Sequence, residues 1–302
     1  MISISANGAN TGATFYQKNN FTVLQDAYAI RWKHKEDVLT DNHYLYLVSS
    51  ISKTIYGSYE WTNKAGWEKV KYEKIQLPTK YGNIDFKFME KIIAGIESQR
   101  LKKLNKYLID LGLKDYSLTS AEQKSLNHYE SIEFKDLNIV NVFEVKNSGN
   151  ILSRDIVENS GTTAYLCASA DNNAVSSYIY YDSKYLDKGN CVFIGGKTFV
   201  VTYQEKDFFS NDSHNLILYL KDEKAKNKLN QLFLATCVHK SLKHKYSWGD
   251  SISNRKIQKD IVSLPLKDQE LDYEYMETLI SAIQKLVIKN VVLYVNEKLK
   301  NH

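Results

Sequence analysis

Proline is almost missing from this 302-residue chain, which has 2 of them against 22 tyrosines. That scarcity excludes a proline-rich linker and the Asn/Asp-Pro-Pro-aromatic loop that an amino-methyltransferase would carry. Cysteine is scarce as well. Cys167, Cys191 and Cys237 are odd in number and scattered, with no Cys-x-x-Cys pair, so neither a zinc ribbon nor a disulfide framework is expected and a reducing cytoplasm fits. The opening Met1-Ile2-Ser3-Ile4-Ser5-Ala6-Asn7 lacks a basic stretch, and no run of about eighteen apolar residues occurs, so export and membrane spanning are not expected. Charge of one sign is also modest. Lys plus Arg number 40 against 35 Asp plus Glu, a net +5 that permits a polyanionic partner without requiring one. What remains, 43% hydrophobic and 25% charged residues, is ordinary globular composition for about two domains, which excludes wholesale disorder.

The two prolines expose the organisation of the chain. They lie in Ile75-Gln76-Leu77-Pro78 and Val262-Ser263-Leu264-Pro265, near-copies 187 residues apart. Sliding the chain by that offset aligns residues 45–98 with 232–285 without a gap. Lys53/Lys240, Tyr59/Tyr246, Trp61/Trp248, Lys69/Lys256, Asp85/Asp272, Met89/Met276 and Glu90/Glu277 all coincide. The match extends upstream with a one-residue slip, pairing Tyr16-Gln17 with Tyr203-Gln204, Phe21 with Phe208 and, one residue out of step, Gln25-Asp26 with Asn211-Asp212. Two copies of one unit follow, rather than a solenoid, which needs at least three. The copies are unequal: the stretch 131–188 of the second has no counterpart from Met1 onward, so the first copy is expected to be truncated at its start, or completed by another chain.

Within the second copy, β-rich runs are expected at 140–145, 164–168, 177–181, 191–194, 199–203 and 216–220, punctuated by Asn, Asp, Gly and Ser clusters. A helix is expected over 224–243, with apolar residues at three- and four-residue spacing. Leu-Pro should close that body, because proline disfavours helix before it and cannot donate within a central strand. Asp85 and Asp272 then read as N-caps of long helices. In the second helix Met276, Leu279, Ile283, Leu286 and Leu293 fit a and d positions with Asn290 at an a slot. In the first, Met89, Ile92 and Ile96 begin the same seam, Gln99 and Lys103 follow, and Leu101, Leu104, Leu108 and Leu111 continue on a shifted phase. The fold class expected is α+β: two repeated mixed domains, each followed by a long helix, the helices paired as an antiparallel coiled coil with Lys103 and Asn290 setting register. Two unrelated surface helices are the alternative.

The duplicated set Leu77-Pro78, Asp85-Phe86, Met89-Glu90 and Leu264-Pro265, Asp272-Tyr273, Met276-Glu277, each preceded by a turn holding Tyr59-Glu60-Trp61 or Tyr246-Ser247-Trp248, resembles the specificity (S) subunits of restriction-modification systems, both Type I and the related BcgI-like Type II ones. The resemblance covers essentially the whole chain. It implies a first target-recognition domain over 1–79, incomplete at its start, a spacer helix over 80–115, a linker over 116–130, a second recognition domain over 131–266 and a second spacer over 267–302. It further implies a non-catalytic, cytoplasmic chain that reads a bipartite double-stranded DNA target and docks methyltransferase (M) subunits, and a restriction (R) subunit in some systems. S-adenosylmethionine would belong to the methyltransferase, and this chain would need no cofactor or metal of its own. A helix over 85–111 would span roughly 40 Å at 1.5 Å per residue, close to one turn of DNA at about 34–36 Å.

The candidate DNA contacts follow from charge and aromatic patterning. Over 234–260, Lys240, Lys243, Lys245, Arg255, Lys256 and Lys259 face only Asp250 and Asp260, with His239, His244, Tyr246 and Trp248 interleaved, a mixture suited to phosphate and groove contacts. The matching 47–73 has Lys53, Lys64, Lys69 and Lys71 against three glutamates, so the second domain is expected to bind more strongly. Tyr59, Trp61, Tyr246 and Trp248 read either as base or sugar contacts or as anchors that close each domain. Gly195-Gly196-Lys197-Thr198 resembles the end of a phosphate-binding loop, but Cys191 stands where its first glycine is needed. Nucleotide binding is therefore rejected, and Lys197 and Thr198 become candidates in a turn facing DNA. Cys237-Val238-His239 has no partner pair for a metal. Asp136 with Glu144-Val145-Lys146 has the letters of a nuclease site, so two alternatives stay open: a nuclease acting alone through an unrecognised site, and a truncated S chain that binds a methyltransferase without reading DNA.

Overall fold

Two aspartates at equivalent places start the two longest helices. Asp85 Oδ1 accepts from Phe88 N at 2.9 Å, and Asp272 Oδ1 accepts from Tyr275 N at 2.9 Å, each satisfying an amide that the first turn leaves without a partner. A computed structural model describes residues 1–300 and divides into two units, Met1–Lys114 with the last turns from Val291, and Asp115–Asn290.

In the first unit, β1 (Ile2–Ser5), β2 (Thr14–Tyr16) and β3 (Ala27–Ile30) form an antiparallel sheet in the order β2-β1-β3. Helix α1 (Asp41–Ile55) follows, its N-cap Thr40 and His43 forming a reciprocal capping box. His43, Leu47, Ile51 and Ile55 recur at four-residue spacing and are its buried stripe. That stripe shares a core with Ile2, Ile4 and Met89. A short turn α2 (Trp67–Val70) and a hairpin of β4 (Thr79–Lys80) and β5 (Asn83–Ile84) lead to α3 (Phe86–Asp110). Tyr81 and Gly82 make the hairpin turn with φ of 52° and 80°, the left-handed pair that a two-residue loop demands.

The second unit opens with α4 (Ser120–Asn127), β6 (Phe134–Asn138), a helical turn α5 (Ile139–Val142) and β7 (Phe143–Asn147). It continues with β8 (Thr163–Leu166), β9 (Val175–Ile179), β10 (Cys191–Gly195), β11 (Val200–Gln204), β12 (Phe208–Ser210) and β13 (Leu216–Leu220). Helix α6 (Lys228–Leu242), the turn α7 (Asn254–Ile257), β14 (Ile261–Lys267), β15 (Glu270–Leu271) and α8 (Tyr273–Lys300) complete it, although α8 from Val291 belongs to the first unit. Three sheets run β11-β10-β13-β7, β12-β8-β9 and β15-β14-β6. Strand β10 is buried along its whole length, and its Val192 and Ile194 meet Leu234 and Val238 of α6 in the main core. At about 25 cal/mol per Å² of apolar surface, this continuous core is the chief stabilising contribution.

The fold class is the expected one: a mixed α and β unit, repeated, with a long helix after each copy. Strand-level expectations shift in three places. The 140–145 run is the turn α5 leading into β7, and β6 and β12 were not anticipated. Leu264-Pro265 does not close the second body but lies inside β14, where Pro265 pairs with Phe134. The carbonyl of Pro265 accepts from Asp272 N at 3.1 Å on the side away from β6, so the missing N–H also faces away and costs the ladder nothing. Residues 116–130, expected only to connect, hold α4, whose Thr119-Glu122 capping box and buried Glu122 make it part of the second unit.

The helix seam differs too. Met276, Leu279 and Ala282 are buried along α8, followed by Val292 and Val295, whereas Ile283, Leu286 and Leu293 are exposed. On α3, Met89, Leu101 and Leu108 are buried, so the shifted phase dominates beyond Met89. Lys103 and Asn290 both face solvent and set no register. In the first unit, the last turns of α8 run antiparallel to α3 and are fastened by other polar groups. Lys298 Nζ meets Glu97 at 3.0 Å, and Lys114 Nζ donates to Asn105 and Asn296 at 2.9 and 2.6 Å. By length and composition α8 is apolar enough to cross a membrane, with a mean hydropathy of 1.4 over 18 residues. Its fully buried Met276, Ala282, Val292 and Val295 show that part of that apolar character serves packing.

Candidate nucleic-acid interface

The repeat carries its bonds with it. Tyr59 Oη donates to Glu73 Oε1 at 2.6 Å, and 187 residues on, Tyr246 Oη donates to Asp260 Oδ2 at 2.5 Å. Lys69 Nζ donates to Asn63 Oδ1 at 2.7 Å, and Lys256 Nζ pairs with Asp250 at the equivalent place. Both tyrosines thus serve as anchors. Burial and then the Asp260 hydrogen bond push the Tyr246 phenol up, and for Tyr59 the Glu73 hydrogen bond is the first cause. Trp61 and Trp248 are different. They are 69% and 74% exposed, so their rings are available to a partner.

In the second unit, a groove of about 680 Å³ opens between the β10-β11 turn, the 168–173 loop and α6, lined by Asn173, Thr198, Thr202, His239 and Lys243 among others. Its two rims hold non-glycine residues in the left-handed region: Asn172, Asn173 and Ala174 at 48°, 53° and 67°, and Phe199 at 52°. Asn173 Nδ2 donates to Tyr203 O at 3.0 Å and Gln204 Nε2 donates to Asn173 O at 2.9 Å, which fixes the loop. An aromatic stack backs the groove. Phe199 lies on Tyr246 at 5.3 Å and against His239 at 6.3 Å between centroids. Burial, then Lys243, lowers the His239 pKa, so at neutral pH the ring is uncharged and offers one donor and one acceptor.

The candidate residues sort by place. Lys197 Nζ lies 6.0 Å over the Trp248 ring and 3.2 Å from Asp212, joining two segments far apart in sequence. Thr198 Oγ1 donates to Ala168 O at 2.8 Å on the groove rim. Lys243 lines the groove, but Lys240 lies on another face of α6, where it borders an apolar cavity with Cys237 and Ser263. Lys245 is engaged with Asp260 at 3.1 Å, leaving Lys240, Lys243, Arg255 and Lys259 without an ion pair among the described residues. In the first unit, Lys53 is exposed in the last turn of α1, and Lys71 is paired with Glu68 at 2.5 Å.

Residues 1–106 and 131–294 match the family model of the Type I restriction modification DNA specificity domain, one stretch in each copy of the repeat. The chain belongs to that family. The Type II restriction enzyme BgcI specificity subunit, S.BcgI, of Heyndrickxia coagulans is 25% identical to this family member over 168 residues, which cover 55% of this chain and 48% of that one. The matched region is therefore about half the length of that curated relative. The Type I restriction-modification system S subunit from M. genitalium shares the fold, with a TM-score of 0.58 at 12% identity over 99% of this chain and 79% of that chain.

Within this specificity-family chain, the motifs set aside on sequence have structural explanations. A Cβ at Gly195 would lie 2.8 Å from Ala168 Cα, and one at Gly196 would lie 2.2 Å from His214 O. Close backbone approach therefore requires both glycines, and Gly196 N is already bonded to Asn215 Oδ1 at 2.9 Å. Cys237 is a packed thiol, pushed up to about 12 by burial. Asp136 accepts from Ser263 Oγ, Glu144 pairs with Lys146 at 3.2 Å, and among the described residues no group of three or more His, Cys, Asp or Glu could hold a metal ion. Phe199 and Asn173 line the groove and were missed by sequence reasoning, whereas His239 was read only as one of the rings interleaved with the basic run. The Asn172-Asn173 pair was the one legible signal, because asparagine tolerates left-handed backbone.

Proposed function

We propose that this chain is the DNA-reading component of a restriction-modification complex, with the second unit making the stronger contacts. The groove lined by Lys243, with Lys197 and Trp248 beside Thr198 on its rim, carries the proposal. It combines the unpaired Lys243 ammonium for phosphates, a flat ring for stacking and fixed Asn173, Thr198 and His239 groups that can address base edges. The first unit would read the other half of a split target, through Lys53, Trp61 and Lys69. The apolar residues that α8 leaves exposed in the second unit, Leu286 at 46% and Val287 at 73%, suit docking of a methyltransferase chain, which would hold S-adenosylmethionine. Catalysis would lie with the partners.

The test is selection from a pool of random duplexes with the purified chain, with and without a methyltransferase. Enrichment of a defined sequence is expected, with affinity falling steeply with salt, at a logarithmic slope of roughly 0.9 per phosphate neutralised. Binding to the methyltransferase without any enrichment would replace this reading with that of a chain that no longer reads DNA. Magnesium-dependent cleavage by the chain alone would replace it with the nuclease.

A further inference from the structure

Strand β11 is an outer strand of the sheet β11-β10-β13-β7, and hydrogen-bond parity shows which of its main-chain groups look outward. One step beyond each end of the β13–β7 ladder, Lys221 N donates to Val142 O at 3.0 Å and Ser148 N donates to Asn215 O at 3.1 Å. Because the bonding side alternates along a strand, Ile217 and Tyr219 also turn their main-chain groups to β7, and Leu216 and Leu218 turn theirs to β10. Their partners on β10, Ile194 and Val192, therefore spend their N–H and C=O groups on β13. Val201 and Tyr203 of β11 stand opposite those two residues, so their main-chain groups point away from the sheet. Asn173 Nδ2 caps Tyr203 O at 3.0 Å. The Val201 N–H, the Val201 C=O and the Tyr203 N–H make no hydrogen bond among the described residues.

These three groups open into the groove beside α6. Val200, Val201, Thr202 and Tyr203 all line it, and consecutive side chains of a strand point to opposite faces, so a groove that touches all four runs along the edge of β11. Its walls carry small side chains, Ala235 and Thr236 on α6 and Ala168 and Ala170 on the facing loop, which leaves a slot with room for a flat ring. Lys243 lines the same groove. The edge is too short for an added strand, since Asn173 closes it at Tyr203 O and the 196–199 turn closes it before Val200. What it offers is one donor, one acceptor and one donor in a row, the reach of a single planar base.

We propose that this slot holds an unpaired nucleobase by its Watson–Crick edge, against the Val201 C=O and the N–H groups that flank it, with Lys243 on the attached phosphate. Each base sets a donor beside an acceptor on that edge, and an unstacked base between protein walls is commonly read there. The inference rests on the groove being a nucleic-acid site and goes further, because in a paired duplex the Watson–Crick edge is spent on the opposite strand. A single strand or a mismatched position would supply the base at least unstacking cost. A free nucleotide presents the same chemistry.

The test is amide hydrogen exchange on the full chain, alone and with the deoxymononucleotide of each base, a short homopolymeric single strand of each base, and a blunt duplex. In the free chain, the Val201 and Tyr203 amides should exchange about tenfold or more faster than those of Thr202 and Gln204, which bond β10. At least one single strand should slow Val201, Tyr203 or both about tenfold or more. Slowing by the strand but not by its mononucleotide assigns the slot to DNA, and equal slowing by both assigns it to a free nucleotide. Val201→Pro puts a ring carbon where that N–H points into the groove and leaves the ladder to β10 intact, so it should weaken binding about tenfold or more with Thr202 and Gln204 as protected as before. If Val201 and Tyr203 already exchange slowly in the free chain, or slow with rising protein concentration alone, the edge is occupied by protein and the proposal is overturned. Duplex binding with both amides unchanged by every single strand and nucleotide would overturn it while leaving DNA reading intact. Failure of every nucleic acid to bind would remove both.

Discussion

Tyr59 and Tyr246 occupy the same place in the two units and donate hydrogen bonds to equivalent carboxylates, yet what surrounds them differs. Beside Tyr246 lie the Phe199 ring, the Lys256 ammonium 5.9 Å from its centroid and the groove with its held loop. Beside Tyr59 there is no counterpart of that loop, because the 163–179 strands that carry it occur once in the chain. The same holds for Phe208, fully buried on β12 against β8, and Phe21, half-buried with no strand beside it. The repeat thus preserves the bonds made between its own conserved residues, and burial follows from whatever the rest of each unit supplies. Local interactions can be inherited intact while the packing around them is not.

The largest test of that comparison lies in the core. Met89 and Met276 are both fully buried, and truncation to alanine should destabilise each unit by about 2–5 kcal/mol, read by denaturant unfolding. A silent Met89→Ala would show that the first unit's socket is not the second's equivalent. Next comes DNA affinity. Lys243→Ala or Arg255→Ala should each lower the logarithmic salt slope by roughly one, while Lys53→Ala in the first unit should change it less; equal slopes would erase the asymmetry. The third test is pH. Burial would raise the Glu122 pKa, but hydrogen bonds from Ser281, the Thr119 amide and Lys285 outweigh it and hold the carboxyl at about 2. Its contribution is full above the ordinary glutamate range and is lost as pH falls toward 2. Glu122→Gln should flatten that acid dependence in unfolding curves taken between about pH 5 and 2. Smallest are Tyr59→Phe and Tyr246→Phe, each removing one hydrogen bond worth about 1 kcal/mol or a little more to a charged acceptor, with the larger loss at Tyr246, whose Asp260 is buried.

Much of this was legible before any coordinates. The 187-residue offset, the Asp85 and Asp272 caps and the Met89 and Met276 anchors all rest on local rules that sequence displays. The place of Pro265 was not legible, because its partner Phe134 lies 131 positions earlier and strand pairing at that range leaves no local mark. Helix α4 was legible and missed: Thr119-x-x-Glu122 is a capping box, set aside within a presumed linker. The coiled-coil phase went wrong because Ile283, Leu286 and Leu293 satisfy a heptad pattern as well as the buried residues do. At the candidate site, charge counting found Lys240 and Lys243 together, but the elements packed on either side of α6 leave Lys240 bordering the apolar cavity and Lys243 the groove, which a charge count does not show.

Residues 74–77 make no backbone hydrogen bond among the described residues, and that edge bears on solubility. An unpaired, partly apolar strand edge is a template on which other chains can stack, and proteins restrain such edges with charge and proline. Here the exposed Lys74 stands beside Ile75 and supplies the charge. Pro78 does not guard this edge, because its carbonyl accepts from Asp85 N at 2.8 Å on the other side and its missing N–H faces the same way. Replacing Lys74 with valine should leave the core untouched and raise the turbidity of concentrated solutions.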